Sequence, residues 1–134
     1  MVTTHARLIG AALAMMIAAP AAATQAAVQS CFDKPTGGEQ KTCMAEVRRT
    51  AQGELEVVYR GILEAARAHE TPTYSPASAI EKSQKAWEAY RNAECGDVIG
   101  GGSQGSGTSV MVMGCYAEKD YERIEELKVP FDHR

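Results

Sequence analysis

Four cysteines, Cys31, Cys43, Cys95 and Cys115, carry the strongest chemical signal in this 134-residue chain. Thiolates that hold zinc sit in close pairs, but here the intervening gaps are 11, 51 and 19 residues and no C-x-x-C occurs. The spacing argues against a metal centre. An even cysteine count in a small exported domain predicts disulfides. Short loops close more readily than long ones, which favours Cys31–Cys43 with Cys95–Cys115. Cys43–Cys95 stays open at this point, because an antiparallel helical hairpin would bring those two together.

Other reactive residue types form no catalytic constellation. Past the leader the chain has only two histidines, His69 in a turn segment and His133 beside the last residue, so neither a Ser/His/Asp nor a Cys/His arrangement is supported. The acidic run Glu118, Asp120, Glu122, Glu125 and Glu126 alternates with Lys119, Arg123 and Lys128 and reads as a solvated helix face. No two carboxylates stand out as a glycosidase pair. The stretch 100–109, GGGSQGSGTS, lacks the lysine of a phosphate-binding loop and has helical neighbours. It reads as a connector or a mobile contact loop. Arg91 reads as an ion-pair partner of Glu54, Glu88 or a carboxylate of the last helix. No catalytic residue, metal ligand or cofactor is implied. A net charge of −3 excludes a nucleic-acid binder that relies on bulk positive charge.

The elements that position these residues begin with an address. Residues 1–23 have Arg7, an uncharged run from Leu8 to Ala19, a break at Pro20, and Ala21-Ala22-Ala23. This is a secretory signal pattern with a cut after Ala23, or alternatively after Ala27. The apolar run is short for a membrane span, and no lipoprotein-type cysteine follows it. Cleavage after Ala23 would remove Arg7 and take the net charge from −3 to −4. A soluble periplasmic or secreted protein is expected, with no membrane anchor after cleavage.

Residues 24–38 read as an extended segment punctuated by Pro35, Gly37 and Gly38. Thr36 and Glu39 have capping-box spacing, so a long helix should begin there. Cys43, Val47, Ala51, Leu55, Val58, Ile62 and Ala66 form its helical stripe, widened by Met44, Tyr59 and Leu63. Gly53 and Gly61 lie within it and read either as tolerated or as a place where another helix approaches closely. A turn from His69 to Ser75 leads to Ser75-Pro76, a second start signal. The next helix places Ile80, Ser83, Trp87, Tyr90 and Glu94 on one face and ends at Gly96. A third helix, from about Val110 to Lys128, carries Met111, Cys115, Ile124 and Leu127, with an interruption expected near Asp120. Residues 129–134 read as a tail. The expected fold is all-α: a small three-helix domain over residues 39–128, built on a long antiparallel hairpin and stapled by disulfides.

Three patches combine into a resemblance. One is Cys31 with Cys43 opening a helix that carries Leu55 and Tyr59. The second is Gln84, Trp87, Tyr90, Arg91 and Cys95, in the form Q-x-x-W-x-x-Y-R-x-x-x-C. The third is Gly101-Gly102-Ser103, then Cys115, Tyr121, Arg123, Ile124 and Leu127. Over residues 31–128 the chain resembles the lysozyme inhibitor LprI N-terminal domain family. The resemblance implies an exported, disulfide-bonded helical domain of the envelope, with Trp87, Tyr90, Arg91, Arg123 and Leu127 as pattern residues, and it adds weight to the local cysteine pairing. The expected function is a non-enzymatic binding protein that inhibits lysozyme by protein contact. The alternative is an accessory envelope protein with another protein partner. Gly101, Gly102, Ser103 and Arg91 are the candidate contact residues. Asn92 stands where the family pattern has an aspartate, so an ion pair at that position is lost. The lipid-anchoring cysteine of the namesake is also missing.

Overall fold

The computed structural model describes residues 20–102 and 105–129. Four α-helices appear in chain order: α1 (Pro20–Phe32), α2 (Gly37–Arg67), α3 (Pro76–Asn92) and α4 (Thr108–Lys128). A π-helical segment, Ala93–Ile99, continues directly from α3. No strand occurs among the described residues.

The start signals behave as their chemistry dictates. Thr36 caps α2: its hydroxyl oxygen accepts from the Glu39 amide at 3.2 Å and donates to the Glu39 carboxylate at 2.7 Å. Ser75 accepts from the Ser78 amide at 3.1 Å, and Pro76 takes the first helical position of α3. Between the two helices, Thr71 and Tyr74 exchange backbone hydrogen bonds across Pro72. The α2 stripe is largely as its periodicity predicts. Met44, Ala51, Leu55, Leu63 and Ala66 are buried, and Val47, Val58, Tyr59 and Ile62 pack beside them.

Several expectations are corrected. The extended segment 24–38 is instead the end of α1 followed by a turn, so among the described residues a fourth helix precedes the three expected over residues 39–128. The alanine-rich run has high helix propensity, and Val28 and Cys31 bury against α2 and α4. Gly96 does not end the second predicted helix. The chain stays helical through the π segment and on to Gly101, with Cys95 fully buried inside the widened turn. The Gly100–Ser109 stretch therefore keeps helical residues at both ends, and its described non-helical part is short. α4 begins at Thr108 and runs unbroken through Asp120. The expected signal segment, residues 1–23, lies mostly outside the described residues, and both predicted cleavage points fall within α1.

α2 and α3 form the expected antiparallel hairpin, tied by Arg67 and Glu81 at 3.7 Å. The most extensive packing is nevertheless between α2 and α4. These two run in the same direction, since Met44 meets Gly114 and Leu55 clusters with Ile124 and Leu127. Gly114 is the glycine used for close approach: a Cβ there would touch Met44 and Val28 at 3.5 and 3.6 Å. Gly53 and Gly61 face open space, so they are tolerated and not used for packing.

Candidate functional site

The disulfides join Cys31 to Cys43 and Cys95 to Cys115, with Cα separations of 5.4 and 5.6 Å, and no cysteine is free. Both staples lie at one end of the bundle. The first clips α1 to the start of α2. The second ties the π segment to α4 and sets the antiparallel register of α3 against α4.

That register aligns the pattern residues. One turn back from Cys95, Arg91 reaches Asp120 of α4 through Nη1. The Arg91 guanidinium also lies over the Trp87 ring at 4.9 Å and the Tyr116 ring at 5.2 Å. Arg48 of α2 lies over the same Tyr116 ring at 4.2 Å. Further along, Arg123 stacks on Trp87 at 5.6 Å and donates to Gln84 at 3.1 Å, Ser83 at 3.0 Å and Glu126 at 2.9 Å. Leu127 joins Leu55 and Ile124 in the core. The result is a seam of alternating guanidinium and aromatic groups between α3 and α4, closed at one end by a disulfide.

Asp120 is the residue that the linear reading misplaced. It is 1% exposed, not part of a solvated acidic face. Burial raises its carboxyl above the ordinary aspartate range, opposed by the Arg91 hydrogen bond and the Arg91 and Arg48 charges. Tyr90 is corrected as well. It is 53% exposed, with Lys119 near its ring at 5.7 Å. The inward stripe of α3 runs Ile80, Gln84, Trp87, Arg91 and then Cys95, so arginine takes the place assigned to tyrosine. Two cations can stand here because aromatic faces and hydrogen-bonding partners receive them. Tyr116 and Arg48 were not singled out from sequence, and Gln84 was read only as part of the family pattern. Counting back four from Cys95 and forward five from Cys115 would have paired Arg91 with Asp120 once the disulfide was assumed.

The candidate contact residues separate. Arg91 is committed to the seam, its side chain 18% exposed. Gly101 and Gly102 are exposed, and Ser103 lies outside the described residues. Gly102 is tight for a side chain: its amide donates to the Val98 carbonyl at 3.2 Å, and a Cβ would approach that oxygen to 3.0 Å, so a larger residue needs the backbone to give by a few tenths of an ångström. Beyond it, the Gly105 amide donates to the Thr108 hydroxyl oxygen at 3.1 Å, which anchors the loop to the start of α4. The loop is thus mounted on the Cys95–Cys115 staple. Among the described residues, no cluster of three or more His, Cys, Asp or Glu is placed to hold a metal ion, and no helix is long and apolar enough to cross a membrane.

The family profile described as lysozyme inhibitor LprI matches residues 18–127. An uncharacterized protein of Rhizobium meliloti (strain 1021) is 33% identical over 94 residues, which cover 64% of this chain and 67% of that protein. No solved structure matches the chain.

Proposed function

Because this chain belongs to the lysozyme inhibitor LprI family, we propose that it is an exported envelope protein that inhibits lysozyme by protein contact, without catalysis of its own. The family match over residues 18–127 carries this reading. Two disulfides support an oxidising compartment outside the cytosol. The leader supports secretion, and α1 bears on where it is cut. Thr24 is 6% exposed and Val28 is 4% exposed. A cut after Ala23 keeps both, whereas a cut after Ala27 deletes a buried residue. Mass spectrometry of the mature protein should therefore find Thr24 at its N-terminus.

The contact surface in this reading is the exposed Gly101–Gly102 turn, Ser103 and the loop that follows, presented by the stapled end. Arg91 and Asp120 hold that platform and do not touch the partner. The negative charge of the chain would attract a basic lysozyme, so inhibition should weaken with added salt. The test is lysis of purified cell walls by a basic lysozyme in the presence of the mature protein. Slowing at micromolar inhibitor, relieved by salt and by bulky substitutions at Gly101, supports the reading. Undiminished lysis by the folded, disulfide-bonded protein overturns it.

A further inference from the structure

Both staples sit at one end, and at the other end α2, α3 and α4 are held by packing and by polar contacts, the buried Arg123–Gln84 hydrogen bond among them, with no covalent link. There the helices part around an open groove of ≈ 930 Å³. Its floor is Val58, Ile62 and Ala66 of α2, Ile80 of α3 and Leu127 of α4. Arg123, Lys128 and His69 also line it, and no carboxylate does, in a chain whose net charge is −3. The wall from Val58 to His69 is roughly 16 Å long at 1.5 Å rise per residue.

We propose that this groove binds a fatty acid, its acyl chain along the aliphatic floor and its carboxylate at the Arg123–Lys128 side. The volume falls in the range of small-molecule sites. The lining side chains offer mainly N–H and O–H donors, which suits an acceptor-only anionic head. An extended peptide fits poorly, because its backbone amides would find no carbonyl or carboxylate side chain among the lining residues. Lys128 is free to turn to a new anion: its present partner is Glu125 on the same helix at 3.0 Å, and both side chains are well exposed. Arg123 stays fixed by Gln84, Ser83 and the partly exposed Glu126, its ion-pair partner at 2.9 Å, and keeps a stationary guanidinium beside the floor. The groove lies at the far end of α4 from the glycine-rich loop, so this proposal does not rest on lysozyme inhibition.

The test is displacement of a fluorescent fatty acid from the mature, oxidised protein, by laurate, by octanoate and by a trimethylammonium amphiphile with the laurate chain length. Saturable binding at one site is expected, with octanoate and the cation each at least about tenfold weaker than laurate. Ala79→Trp places an indole in the groove from an exposed position on α3 and should abolish binding. Lys128→Glu, also at an exposed position, should weaken it about tenfold and decides the matter if the first variant does not fold. Absence of saturable binding, equal binding of the cation, or full binding by a folded Ala79→Trp variant overturns the proposal. So does a dimer that Ala79→Trp dissociates, since a second copy would then fill the groove.

Discussion

At the scale of single residues, Asp120 is the most consequential side chain. Its carboxylate is buried, and it neutralises Arg91 between two aromatic rings. Removing it strands a largely buried guanidinium, so Asp120→Ala should destabilise the fold by about 3–5 kcal/mol, read as a shift in the urea midpoint. The pH response has an unusual sign. Because burial lifts this carboxyl above its unfolded value, the folded state takes up its proton first as the solution is acidified. Its contribution to stability is therefore fully present below the unfolded pKa and is lost as pH rises through the folded one. Acidification from neutrality toward the ordinary aspartate value of 3.8 should move the stability difference between wild type and Asp120→Asn in favour of the wild type. A difference moving the other way would mean that the bond to Arg91 outweighs burial. Arg123 illustrates the opposite economy of charge: its donors are met by Gln84, Ser83 and Glu126, so no buried counter-ion is needed.

At the scale of elements, the helices owe their ends to local chemistry and their faces to packing. Gly53 and Gly61 sit in the interior of α2 with open space around each missing Cβ. Gly53→Ala and Gly61→Ala should each stabilise the protein by about 0.5–1 kcal/mol, visible as a raised midpoint in thermal unfolding. Thr36→Ala removes the cap of α2 and should cost about 1 kcal/mol in the same measurement. The π segment belongs to this scale too. It carries the chain past Gly96 without a break and keeps Cys95 buried where Cys115 can meet it. α1 has little amphipathic character of its own, and its stability comes from the Cys31 staple and from Val28 lying against Gly114.

At the scale of the whole molecule, the covalent links are unevenly distributed. The stapled end carries both disulfides, the Arg91 part of the arginine–aromatic seam and the glycine-rich loop, while the other end is open and carries the groove, with Arg123 on its wall. Replacing Cys95 and Cys115 together by serine should cost about 2–4 kcal/mol. Amide exchange should accelerate first around residues 93–115, with the core of the α2–α3 hairpin more protected. Uniform acceleration along the whole chain would show that the staple supports the entire bundle and not one end of it. The same asymmetry separates the two proposed binding surfaces: the lysozyme contact proposed for the stapled end and the acyl-chain site proposed for the open end should be open to disruption one at a time.

The helical class, the long second helix with its threonine cap, the Ser75-Pro76 restart and the shorter of the cysteine loops were legible in the sequence. Each depends on residues within a few turns of one another, so periodicity and capping chemistry suffice. α1 was not legible, because an alanine-rich run has no polar-to-apolar alternation to read, and the proline and glycines after it suggested irregular chain. The exchange of Tyr90 for Arg91 on the inner face of α3, and the burial of Asp120, were settled only in three dimensions. A charge can be buried when a partner 29 residues away in sequence and several aromatic faces arrive together. The parallel course of α2 and α4 and the groove between three helices are likewise properties of packing. Local sequence states which face a helix will bury, and only the assembled fold states against what and how completely.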